Sequence, residues 1–180
     1  MKIRNMVRML RNAQYECYAK GDIIIHQENS DKTLFYIRKG MVRSFARQPL
    51  EEEVTFQLYP EKNVFGNIHA ILFDEPSKFT FQAIEPTNVY RINQRVLMEI
   101  TSNDPNLVTF NSSMIGHRLL KRSFQRLQTF VFLSPEERYI QYLHDFPNVV
   151  NRAPDKYTAH VLGITPVSLS RIRNRMSVKK

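Results

Sequence analysis

Cysteine is nearly missing from this chain: Cys17 is alone among 180 residues. One thiol excludes an internal disulfide framework and any four-thiolate zinc or iron–sulfur site, and it fits a cytoplasmic home. Glycine is scarce as well. Gly21, Gly40, Gly66, Gly116 and Gly163 never cluster, so no phosphate-cradling loop of the Walker or dinucleotide kind is present. The histidines, at 26, 69, 117, 144 and 160, contain no i, i+4 pair, and no Gly-x-Ser-x-Gly elbow occurs. Glu51-Glu52-Glu53 reads as a solvated run at a hairpin tip, not an acid–base pair. No enzyme, no metal site and no cofactor is expected.

Long apolar runs are absent too. None approaches the roughly 18 to 20 residues of a membrane span, and no membrane partner is expected. The opening MKIRNMVRMLRNAQ alternates basic and apolar residues without a continuous apolar region or a small-residue cleavage site, so no secretion signal is read there. Its role is left open.

A hydrophobic fraction of 42% with twelve Phe is enough for one larger domain plus a small appendage. The formal net charge of +9 is unevenly placed. Residues 1–116 hold 14 Lys+Arg against 13 Asp+Glu (+1), whereas residues 117–180 hold 12 against 4 (+8). The last third therefore suits a polyanion, nucleic acid before membrane, because its basic residues do not lie along one strongly amphipathic helix. A merely solvated basic surface is the alternative at this point.

From Tyr15 to about Ile92 short apolar runs are rich in β-branched and aromatic residues: DIIIH, TLFYIRKGMVRSFA, VTFQLY, FTFQAI and NVYRI. Turn signals at Lys20-Gly21-Asp22, Lys39-Gly40, Gln48-Pro49, Tyr59-Pro60 and Glu85-Pro86 space them as in a compact antiparallel sandwich or barrel. NIHAILF, Asn67 to Phe73, fits a short inserted helix ended by Asp74-Glu75-Pro76.

After Asn93 the period becomes helical. One short helix starts at Asn93; a second starts near Asp104-Pro105 and extends to about Phe132. On the second, Phe110, Ser113, His117, Leu120, Phe124, Leu127 and Val131 keep one stripe on one side for several turns. That stripe is a candidate dimer seam, with packing on the chain's own β domain as the competing reading. Ser134-Pro135-Glu136-Glu137 then forms a capping box opening PEERYIQYLHDF, with Tyr139, Tyr142, Leu143 and Phe146 as its apolar face.

The last helix is the informative one. Thr165 suits the N-cap and Pro166 the first helical position. At about 100° per residue, Leu169, Ile172 and Met176 form the buried stripe, and Val167, Ser170, Arg171 and Asn174 face the opposite way, with Ser168 and Arg175 on a flank. The preceding helix, Asp155 to Leu162, is joined through Gly163-Ile164-Thr165, a turn with glycine where a left-handed residue is wanted. This is helix-turn-helix geometry, in which short polar side chains and Arg171 meet the DNA major groove, while Thr165, Ser168, Arg173, Arg175, Lys179 and Lys180 anchor phosphates. An ordinary αα-hairpin with a basic face is the plainer alternative; the charge segregation weighs against it.

AHVLGITPVSLSRIR, with SPEERY upstream and AKGDIIIHQENSDKTLFYIRKGMVRSF near the start, resembles the Crp/Fnr transcription regulators over about Tyr15 to Ser177. The resemblance implies an α+β chain: an N-terminal antiparallel, jelly-roll-like β-roll sensor over 1–103, a dimerisation helix over 104–133, and a small helix-turn-helix domain over 134–180. It implies Pro166, Val167, Ser168 and Arg171 as base-proximal residues. Val167 departs from the acidic or polar residue many members carry there, which removes a carboxylate contact to cytosine and opens one to a thymine methyl.

Members that bind cyclic nucleotides use a Gly-Glu pair for the ribose and an Arg-Ser pair for the cyclic phosphate. Here Gly66-Asn67 and Ser77-Lys78 occupy those places, so both chemical keys are exchanged. The sequence therefore argues against cyclic nucleotide, and the effector is unknown. A different small molecule in a pocket of Phe65, Gly66, Asn67, Ser77, Lys78 and Phe79 is the open alternative to plain core packing. Haem through His26, His69 or His117 carries little weight, because scattered histidines are more often structural.

The expected function is a homodimeric, sequence-specific, double-stranded-DNA-binding transcription regulator, with RNA polymerase as a further partner, either switched by the β-roll or constitutively competent. The alternative is a ligand-sensing or protein-interaction module with a degenerate helix-turn-helix, favoured by the short stretch after Met176, which leaves no room for a wing strand. RNA binding is discouraged by the lack of aromatics on the basic face.

Overall fold

The computed structural model describes residues 11–47, 52–102, 120–149 and 151–178. The chain divides into two compact units, 1–43 with 59–122 and 44–58 with 123–180.

Among the described residues eight strands follow the turn signals: β1 Gln14–Tyr18, β2 Ile23–Ile25, β3 Thr33–Lys39, β4 Val42–Arg47, β5 Glu53–Tyr59, β6 Val64–Gly66, β7 Thr80–Ala83 and β8 Thr87–Asn93. They form two four-stranded sheets, ordered β1-β8-β3-β6 and β2-β7-β4-β5. Pairs β1–β8, β3–β8, β3–β6 and β2–β7 are antiparallel. Together with the C-terminal helices this is the α+β architecture that the period change after Asn93 implies. β1 and β6 carry only weak signals of their own and owe their strand state to pairing.

The core of the roll is Ile25, Phe35, Ile37, Val42, Phe65, Phe81 and Val89. Phe65 stacks on both Phe35 and Phe81, with ring centroids 5.0 and 5.5 Å away. Each buried aromatic removes a large apolar area from water, and the offset stacking adds to it. The β3–β4 turn needs Gly40: its φ is +98°, and a Cβ there would lie 2.5 Å from Thr87 Oγ1 and 2.6 Å from the Pro86 carbonyl oxygen.

Helix α1, Ile68–Phe73, interrupts the strands as NIHAILF suggests. Asn67 caps it, Oδ1 accepting from Ala70 N at 3.2 Å, and Asp74 ends it in the left-handed region at φ +58°. Helix α2 is Gln94–Ser102, with Asn93 Oδ1 accepting from Arg95 N at 2.8 Å.

In the second unit, the parts of β4 and β5 within residues 44–58 group with helix α3 (120–132) from residue 123 onward, α4 Pro135–Asp145, α5 Asp155–Leu162 and α6 Pro166–Val178. Helix α4 opens on the expected capping box: Glu137 N donates to Ser134 Oγ and Ser134 N to Glu137 Oε2. Tyr139, Tyr142, Val149, Ala153, Ala159, Leu162, Leu169 and Ile172 are buried and form the small core. Tyr139 and Tyr142 belong to the apolar face read from PEERYIQYLHDF; Leu143 and Phe146 are half-buried.

Candidate nucleic-acid interface

Helix α5 ends on Gly163 at φ +66°, ψ +37°. The Gly163 and Ile164 N–H groups donate to His160 and Ala159 carbonyls, each at 3.0 Å, closing the helix in a left-handed cap. A Cβ at Gly163 would lie 2.5 Å from Phe130 Cε1, so the turn is tied to glycine by backbone conformation and by its seat on α3.

Thr165 then caps α6, Oγ1 accepting from Ser168 N at 3.1 Å and sharing a hydrogen bond with Ser168 Oγ at 2.9 Å. Pro166 takes the first helical position. Leu169 and Ile172 are buried and Met176 half-buried, as the helical wheel requires. Val167, Ser170, Arg171 and Asn174 are all exposed, and Ser168 and Arg175 flank them. The eight residues read as the DNA-contacting set, Thr165, Pro166, Val167, Ser168, Ser170, Arg171, Asn174 and Arg175, run from the cap to the last turn of a helix about 20 Å long, and all but the half-buried Ser168 are exposed.

The arginines of α6 differ in what holds them. Arg171 makes no ion pair or hydrogen bond among the described residues, and its side chain adjoins an open concavity bordered by Pro135, Ser168, Asn174 and Arg175. Arg175 reaches Glu136 at 3.4 Å while staying 63% exposed. Arg173 corrects the sequence reading: it does not stand free as a phosphate anchor. Its Nε donates to Tyr139 Oη at 2.9 Å, its Nη1 to Asp155 at 2.7 Å, and its guanidinium lies 5.7 Å from the Tyr139 ring centroid. Burial alone would lower its pKa, but the bonds to Asp155 and Tyr139 outweigh that and the net shift is upward. Arg173 thus joins α6 to both α4 and α5. Its partners are 18 and 34 residues away in sequence, and no local pattern announces them. Lys179 and Lys180 lie outside the described residues.

Of the seam residues, Leu120, Phe124, Leu127 and Val131 lie on α3 and are 60, 58, 62 and 70% exposed. Phe110, Ser113 and His117 lie outside the described residues.

The positions singled out for an effector are used structurally. Phe65 belongs to the roll core, and Phe79 packs against that core. At Gly66 a Cβ would come within 2.5 Å of the Thr33 carbonyl oxygen. The buried Asn67 donates from Nδ2 to the Asn29 carbonyl at 2.6 Å, in addition to capping α1. Buried Ser77 donates from Oγ to the Phe79 carbonyl at 2.7 Å, while its N–H donates to Asn29 O at 2.8 Å. Lys78 points to solvent beside Glu75, 3.3 Å away.

Residues 15–104 match the cyclic nucleotide-binding domain family. The chain belongs to that family. No curated protein matches it in sequence. Among solved structures, FixK2 from Bradyrhizobium japonicum superposes with a TM-score of 0.78 at 18% identity, covering 93% of this chain and 85% of its own. The c-di-GMP responsive global regulator CLP of Xanthomonas campestris gives 0.72 at 16%, with 98% and 92% covered. The catabolite activator protein of Thermus thermophilus gives 0.60 at 18%, with 99% and 85% covered. These neighbours are transcription regulators of the Crp/Fnr type, and the likeness bears out the fold read from LGITPVSLSRIR and the β-roll segments. Among the described residues, no helix of this member is long and apolar enough to cross a membrane.

Proposed function

We propose that the chain is a homodimeric, sequence-specific DNA-binding transcription regulator that does not respond to cyclic nucleotide. The observation that carries this reading is the solvent face of α6: Val167, Ser170, Arg171 and Asn174 exposed together, with Arg171 making no ion pair or hydrogen bond among the described residues. A free guanidinium can bridge guanine O6 and N7, and Val167 suits a thymine methyl. Thr165, Ser168 and Arg175 at the helix start and flank suit phosphates. One such helix covers a half-site, and pairing through the exposed Leu120, Phe124, Leu127 and Val131 stripe would present two readers about 34 Å apart. The protein would act in the cytoplasm with RNA polymerase as a further partner.

Cyclic nucleotide binding is disfavoured by chemistry, not by fold. Asn67 and Ser77 are committed to holding Asn29 and Phe79, and Lys78 cannot reproduce a bidentate arginine clamp. Thermal unfolding with and without millimolar cAMP, cGMP or c-di-GMP tests this, and no shift in Tm is expected.

The regulator reading is tested by sequencing fragmented genomic DNA captured by the purified protein at about 150 mM salt, where non-specific binding is suppressed. A two-fold symmetric enriched motif, lost with Arg171→Ala, is the expected result. Capture without a motif and indifferent to Arg171→Ala would favour an interaction module whose helix-turn-helix no longer reads DNA.

A further inference from the structure

Strand β5 meets the helices of the second unit at two points. Thr55 N donates to His160 Nδ1 at 3.2 Å, and Arg126 Nη1 donates to the Phe56 carbonyl at 2.8 Å. Arg126 also lies over Phe56 and Phe130, 4.5 and 5.4 Å from their centroids, and Phe130 carries the Gly163 turn. Two consecutive residues of one strand therefore engage α5, the first helix of the helix-turn-helix, and α3, the helix under its turn.

The hydrogen bond at His160 is chemically selective. Among the described residues β5 ends its sheet, and its Thr55 N–H is met by a side chain of α5. Thr55 is buried, and a buried N–H left unpaired is costly. His160 is half-buried and supplies the acceptor from a nitrogen that must carry no proton; in the neutral ring the proton then sits on Nε2. Asparagine can place an amide oxygen near the Nδ1 position, whereas leucine keeps bulk and loses the acceptor.

We infer that His160 is a positioning residue: by accepting the Thr55 N–H it fixes α5, and through the Gly163 turn α6, on the β5 strand, so that the hairpin sets where Arg171 is presented to DNA. His160 itself does not touch DNA in this account. The inference rests on the DNA-binding reading, and its test separates the two.

The 180-residue wild type, His160→Asn and His160→Leu are compared in two measurements, amide hydrogen exchange at Thr55 without DNA and affinity for the enriched DNA motif. Helical circular dichroism and Tm identify any variant that has merely unfolded. Slow Thr55 exchange in wild type and His160→Asn, fast exchange in His160→Leu, and affinity about tenfold weaker for His160→Leu with rescue by asparagine are expected. Unprotected Thr55 in folded wild type would overturn the contact. Protection that follows the acceptor while all three proteins bind the motif equally would overturn the positioning role. Wild type that binds no DNA motif, with the exchange pattern intact, would sink the regulator reading and with it the role given to His160, while the strand-to-helix contact stands.

Discussion

Arg171, Arg173 and Arg175 stand two residues apart on one helix, yet their guanidiniums meet different surroundings, and substitution separates them. Arg171→Ala should leave Tm unchanged and lower DNA affinity by about 1–3 kcal/mol, relaxing the preference at one base pair. Arg173→Ala should do the reverse: it strands Tyr139 Oη and Asp155, and a Tm lowered by about 1–2 kcal/mol of lost stability is expected, discounted for its 30% exposure, with base preference intact in the folded fraction. Tyr142 offers a contrasting case. Its hydroxyl is buried without a partner among the described residues, and burial pushes its pKa up, so Tyr142→Phe should be neutral or stabilising by up to about 1 kcal/mol in denaturant melts.

At the scale of elements, α4 is set by its cap and α3 by what covers it. Hydrogen bonds from Ser134, side chain first and backbone N–H second, hold the Glu137 carboxyl below its ordinary pKa. A depressed folded-state pKa adds stability above the unfolded value and loses it as pH falls through the folded one. The Tm gap between wild type and Ser134→Ala should therefore be present at pH 7 and shrink in acid, below the ordinary carboxylate range. On α3 the exposed stripe needs a cover, since a row of large apolar side chains in water favours association. Sedimentation should show dimers for wild type and monomers for Leu127→Glu, with DNA affinity falling steeply because only one half-site remains engaged. Two helix starts were readable in advance: Ser134 with Glu137, and Thr165 before Pro166, are local signals, and each is found capping its helix. β6 and the seat of Gly163 on Phe130 were not, because a three-residue strand and a contact 33 residues distant leave no periodic trace.

For the molecule as a whole, charge and family fold point the same way. With +8 in residues 117–180 against +1 in residues 1–116, the logarithm of DNA affinity should fall linearly with log salt, and cutting a phosphate contact with Arg175→Ala should reduce that slope by about one. What the amino-acid sequence determined by itself is what depends on neighbours along the chain: strand and turn spacing, caps, the α6 face bearing Val167, Ser170, Arg171 and Asn174, and the segregation of charge. Those features follow from residue period and chain chemistry, which act over a few residues. Tertiary structure alone decided which of those side chains are free. It drew Arg173 onto Tyr139 and Asp155, spent Asn67 and Ser77 on holding loops, and set His160 against Thr55, because such pairings join residues far apart in sequence and are created only when the elements pack.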